Sequence, residues 1–162
     1  MSTSSRFAVA VHILTLLAQS EGPVPSSMIA GSVGTNPALI RRMIGTLTEA
    51  GFVTTAMGST GGAMLARAPD EISIGDIVRM AEKDFAVVAC HDTSVAHGCR
   101  IFAACNLKRG LARAVDAFMA ELDAMTLQDA ITVPTVAAGL LGLTPREQPI
   151  KIARSPRRRV AG

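Results

Sequence analysis

Residues 35–66, TNPALIRRMIGTLTEAGFVTTAMGSTGGAMLA, constrain the fold more than any other stretch of this chain. They open with a helix whose two ends can be read directly. Asn36 precedes it, and its side-chain oxygen can accept a free N–H of the first turn. Pro37 suits the first helical position, where its missing N–H costs nothing. Ile40, Met43, Ile44 and Leu47 recur at three- and four-residue steps and give the helix one apolar face. Gly51 stands at the far end, where a left-handed residue is favoured. FVTTA then reads as a strand, MGSTGG as a turn and AMLA as the returning strand.

The preceding residues complete a recognisable order. Ser5 to Gln19 reads as a first helix, with Phe7, Ala10, Val11, Leu14, Leu17 and Ala18 on its apolar face. EGPVP breaks it, a short helix runs from about Ser26 to Val33, and GTN forms a tight turn. Helix, short helix, turn, helix, hairpin is the order of a winged helix-turn-helix, a DNA-binding architecture. The expected fold is therefore mainly α with a small β-hairpin wing, in the α+β class.

In such a motif the second helix enters the major groove by its N-terminal half. Here that half offers Asn36, Ala38, Leu39, Arg41 and Arg42. Arg41 and Arg42 point away from the apolar face. A guanidinium can grip a guanine edge or a phosphate bidentately. Ala38 or Leu39 can meet a thymine methyl. Ser59, Thr60, Gly61 and Gly62 form the expected wing tip, where glycine permits close backbone approach and hydroxyls can bond phosphate oxygens.

Beyond the wing, DEISIGDIVRMAEK begins another helix, capped by Ser73, with Ile74, Ile77, Val78 and Ala81 on one face. The longest helix is expected from about Cys105 to Met125. Leu107, Leu111, Ala114, Val115, Phe118, Leu122 and Met125 form an apolar stripe along it, suited to dimerisation. TLQDAI reads as a short helix, with Thr126 and Asp129 in capping-box spacing. After Ile131 the pattern dissolves into a Pro-, Gly- and Arg-rich tail expected to be disordered, ending in RSPRRR, which suits nonspecific phosphate contact. The implied organisation is a DNA-binding domain over 1–82, a cysteine segment over 83–104, a dimerisation region over 105–131 and a basic tail over 132–162.

With no Trp or Tyr and five Phe among 162 residues, the core has to be aliphatic. The net charge of +3 lies mostly in the tail. The N-terminal apolar run lacks a small-residue cleavage pattern and carries His12, Thr15 and Gln19, so it reads as a buried helix of a cytoplasmic protein. No run approaches the length of a membrane span.

All three cysteines fall in one segment, as Cys90-x8-Cys99-x5-Cys105. An odd number argues against a secreted disulfide framework. Three clustered thiols suit an iron–sulfur cluster. With His91 and His97 nearby they also suit zinc. A metal-free thiol switch is a further reading.

SRFAVAVHILTLLA, the stretch IAGSVGTNPALIRRMIGTLTEAGFVTTAMGSTGGAMLARAPDEISIGDIVRMAE and CRIFAACNLKRGLARAVDAFMAELDAMTLQDA together resemble the Rrf-two family of winged-helix regulators. The match covers roughly Ser5 to Ile131. The TNPALIRRMI helix is most similar to a branch not built around this cysteine triad. The resemblance implies a homodimeric transcription repressor on a palindromic duplex operator. It implies that Cys90, Cys99 and Cys105 ligate one iron–sulfur cluster per subunit, [2Fe–2S] or [4Fe–4S], sensing iron, redox or nitric oxide state. Such clusters normally take a fourth ligand. The family's two solutions fall here on Lys108 and Ala8, neither a cluster ligand. His97, His91 and Asp92 are the nearby candidates, His97 first. A metal-free redox regulator and a small metal–thiolate electron carrier are the alternatives. No catalytic constellation appears, so an enzyme is not expected.

Overall fold

The computed structural model describes residues 5–58, 61–82, 88–91, 99–131 and 139–142. Five helices and one hairpin make up its regular structure: α1 (Ser5–Gln19), α2 (Ser26–Val33), α3 (Pro37–Glu49), β1 (Val53–Ala56), β2 (Gly62–Leu65), α4 (Ile74–Ala81) and α5 (Asn106–Ala124). Short 3-10 turns occupy Pro69–Glu71, Ala89–His91 and Phe102–Ala104. The architecture is an α+β winged helix, as expected.

α1 is the central element. It packs on α2, α4 and β2 together, so it buries more than one stripe. Ile13 and Leu16 are fully buried alongside Ala10, Leu14, Leu17 and Ala18. Ile29 of α2, Ile40 and Leu47 of α3, Ile72 and Ile77 around α4 and Leu127 complete an aliphatic core. Burying each such side chain contributes on the order of 1.5–3 kcal/mol, and no aromatic larger than Phe52 enters it.

The turns follow the residues that allow them. Gly34 after α2 has φ 72° and Gly51 after α3 has φ 74°, the left-handed region where glycine carries no Cβ penalty. β1 and β2 pair antiparallel, Val53 opposite Leu65 through Ala56 opposite Gly62. The hairpin is tied to the rest of the domain. Val24 and Ala63 exchange backbone hydrogen bonds, each N–H donating to the other's carbonyl at 2.9 Å. A Cβ at Gly62 would stand 2.5 Å from the Val24 backbone, so only glycine lets the strand approach this closely.

α5 leaves the domain from a fixed base. Ile74 N–H donates to the Met125 carbonyl and Leu127 N–H to the Ile72 carbonyl, both at 2.8 Å. The Arg79 guanidinium donates to both Asp123 oxygens at 2.6 Å. Those bonds hold the Asp123 carboxyl below its ordinary range and raise Arg79.

One expectation is corrected. TLQDAI does not form a helix. Thr126 and Asp129 do make reciprocal capping bonds, which hold the Asp129 carboxyl below its ordinary range. However, Thr126 bridges to Ser73 in antiparallel fashion. That pairing keeps the backbone extended at its start, and 127–130 close as a turn instead. The α5 stripe lies largely open in the single chain. Leu107, Ala114, Phe118 and Met125 are exposed, and only Met119 and Leu122 pack against the core. Of the tail, Gly139–Gly142 are described, with Leu141 packed against the core and Leu140 exposed. The expected disorder of 132–138 and 143–162 falls outside the described residues.

Candidate nucleic-acid interface and thiol segment

The first turn of α3 is built as expected. Asn36 Oδ1 accepts the Ala38 N–H at 2.7 Å, and Pro37 occupies the first position. Asn36 is therefore held as a cap, exposed at the tip of the helix. Replacing it with Ala should cost about 1 kcal/mol of stability. Urea unfolding should show this as a lower midpoint at unchanged slope.

Ile40, Met43, Ile44 and Leu47 are all buried, which fixes the rotation of α3. At roughly 100° per residue, Ala38, Arg42 and Gly45 lie opposite the buried face. Arg41 lies on one flank and Leu39 on the other. Arg41, Arg42 and Gly45 are exposed, Ala38 is half-buried and Leu39 is 44% exposed. The two arginines thus occupy different positions. Arg42 projects straight outward, beside the small residues that would let DNA approach. Arg41 lines a notch of about 300 Å³ with Ser26 at the start of α2, Thr55 and Ala56 of β1, and Gly61 and Gly62. The notch places α3 and the wing on one face. Ser59 and Thr60, the expected wing-tip hydroxyls, lie outside the described residues. Gly61 is described, its N–H donating to the Gly58 carbonyl at 3.0 Å.

Ser26 and Thr55 were missed by the sequence reading, because nothing local in either segment reveals that α2 and β1 meet across Arg41. His12 of α1 is half-buried and hydrogen-bonded to Ser32 Oγ at 2.9 Å, joining α1 to α2.

The thiol segment converges on the first turn of α5. Cys105 is the N-cap of α5, its sulfur accepting the Lys108 N–H at 3.4 Å. His91 Nε2–H donates to the Lys108 carbonyl at 3.0 Å. The Lys108 ammonium stands 3.5 Å from the centre of the Phe102 ring, a cation–π contact. Cys90 and Cys105 are half-buried, Cys99 is exposed, and all three are free. Their soft sulfur donors fit an iron–sulfur cluster chemically. Yet among the described residues no three His, Cys, Asp or Glu side chains gather as a metal site. Asp92 and His97 lie outside the described residues. Among the described residues no helix is long and apolar enough to cross a membrane.

A family profile described as Rrf2, iron-dependent transcriptional regulator, matches residues 3–132. The chain is 37% identical over 103 residues to the HTH-type transcriptional regulator NsrR of Bacillus licheniformis, covering 64% of this chain and 71% of that one. It is 40% identical over 89 residues to the HTH-type transcriptional regulator YwnA of Bacillus subtilis, covering 55% and 65%. Among solved structures it is similar to CymR (YrzC), the global cysteine regulator of B. subtilis, with a TM-score of 0.64 and 28% identity over 82% of this chain and 97% of that one.

Proposed function

The chain belongs to the Rrf2 family of transcriptional regulators, and on that premise we propose that it is a homodimeric repressor, binding a palindromic duplex and switched through Cys90, Cys99 and Cys105. The observation that carries the DNA reading is the common face of α3 and the wing. That face presents Arg42 outward and Arg41 in the notch beside Ser26 and Thr55. Arg42 reads base edges in the major groove. Arg41 grips the phosphate backbone and fixes the register. Gel shift against genomic fragments tests this. Absence of binding in every redox and metal state removes it and favours an electron carrier.

α5 supplies the link between sensing and reading. Its C-terminal end is anchored to α4 through Arg79 and Asp123. Its N-terminal end is capped by Cys105 and held by His91. A change at the thiols shifts the first turn of α5. The second copy feels this through the exposed stripe, and the spacing of the two α3 helices changes.

Cys90, Cys99 and Cys105 would hold an iron–sulfur cluster, which supplies a centre reactive to iron supply, oxidants and nitric oxide. The thiol triad and the family's iron-dependent description support this. His97, His91 and Asp92 remain the fourth-ligand candidates. Anaerobically purified protein should be coloured, with matched iron and sulfide, and each Cys→Ser variant should lose both. The exposed Cys99 favours a second reading of metal-free thiol oxidation. Colourless, iron-free protein whose DNA affinity changes on oxidation would establish the second and exclude the first.

A further inference from the structure

Met57 follows β1 directly and is 100% exposed. It opens the wing turn, before Gly58 at φ 111°. Its neighbour Ala56 and Gly61 across the turn both line the notch that also holds Arg41, so the backbone at Met57 leaves the notch at the wing end. The whole hairpin from Val53 to Leu65 contains no charged residue. Arg67, just beyond it, lies over the Phe52 ring at 4.9 Å, at the opposite end of the hairpin from the turn. The wing therefore has no cation to offer a phosphate or a narrow minor groove. Its large side chain is a thioether.

Resting on the DNA-binding reading above, we propose that Met57 is the wing's DNA contact, an apolar probe entering the minor groove beside the half-site read by α3. The unbranched Met side chain is slim and adaptable. Apolar side chains of this kind press against sugars or wedge between base steps there. Such a contact makes affinity depend on how easily the flanking step deforms, so it reads sequence that α3 never touches. The contact neutralises no phosphate, and this separates it from the arginines.

The probe is a duplex selected from genomic fragments on the wild-type protein. Met57→Ala should bind it roughly threefold to tenfold more weakly, the share expected from partial burial of one Met side chain. The slope of log affinity against log salt should stay unchanged, because no counterion release is lost. Met57→Leu should restore most of the affinity, and Met57→Lys should steepen the slope by about two units, one per subunit of the dimer. Hydroxyl-radical footprinting should show Met57→Ala losing protection at the flanking minor groove alone. Because Met57 is fully exposed, these variants keep the wild-type melting temperature. Equal affinity and footprint for wild type and Met57→Ala overturn the proposal while leaving the DNA reading standing. Wild type that selects no duplex at all overturns both.

Discussion

Replacing Arg41 and Arg42 together with alanine should remove operator-specific binding while leaving the fold unchanged. Both side chains are exposed on α3. Neither belongs to the buried Ile40, Met43, Ile44 and Leu47 face that seats the helix, so the effect on stability should stay within about 0.5 kcal/mol. A bidentate arginine contact is worth roughly 1–3 kcal/mol of discrimination. In a dimer Arg42 makes one such base contact in each half-site, so its loss costs about 2–6 kcal/mol, roughly one and a half to four orders of magnitude in affinity for the specific site, and the loss of the Arg41 phosphate contacts weakens every duplex further. The single variants should differ in kind. Arg42→Ala, lacking the outward guanidinium, should flatten the preference among base sequences. Arg41→Ala, emptying the notch beside the wing, should weaken all duplexes alike and lower the salt slope by about two, one for each half-site of the dimer. Fluorescence anisotropy over a salt series with matched and scrambled duplexes measures both. Operator affinity within about threefold of wild type in the double variant would reject this docking geometry.

That division between the arginines shows where sequence reading stops. The ends of α3 were legible because capping is local. Asn36, Pro37 and Gly51 act within one turn of themselves, and each stands as expected. The apolar period of α3 was legible because one side is buried and the other is not. The same reasoning understated α1, where Ile13 and Leu16 lie off the expected face yet are fully buried. A helix surrounded by α2, α4 and β2 has no single stripe to find. TLQDAI misled for a related reason. Its capping bonds form, but a bridge from Thr126 to Ser73, 53 positions away along the chain, sets the backbone instead. Local chemistry was read correctly and tertiary pairing overrode it. The thiols were visible as a cluster in sequence, but spacing alone carries no information about which sulfur caps a helix. Cys105 takes that position, and His91 joins it through the backbone of Lys108.

Phe118→Glu should convert a dimer into a monomer and abolish operator binding with it. α5 runs nineteen residues without one buried side chain. Phe118 is 54% exposed and Leu107 68% exposed, on the stripe that continues to Leu122 and Met125. Leu122 and Met125 border an apolar trough of about 640 Å³ shared with Phe7, Val11 and Ile74. An apolar helix face next to such a trough is what a second copy would cover, and in a two-fold interface each residue acts twice. With about half of each Phe118 left for a partner to cover, two Phe side chains leaving an interface forfeit roughly 1.5–3 kcal/mol in total, before the cost of placing two carboxylates against apolar neighbours. The dimer dissociation constant should therefore rise more than about a hundredfold. A monomer holds only one half-site, so affinity for the palindrome should collapse while the weak affinity for a single half-site persists. Because Phe118 is already solvated in one copy, the monomer should retain its helical content by circular dichroism. Sedimentation equilibrium on wild type and variant decides the matter. Equal masses in both would mean that the stripe serves another partner, and the two α3 helices would then have to be paired by a different surface.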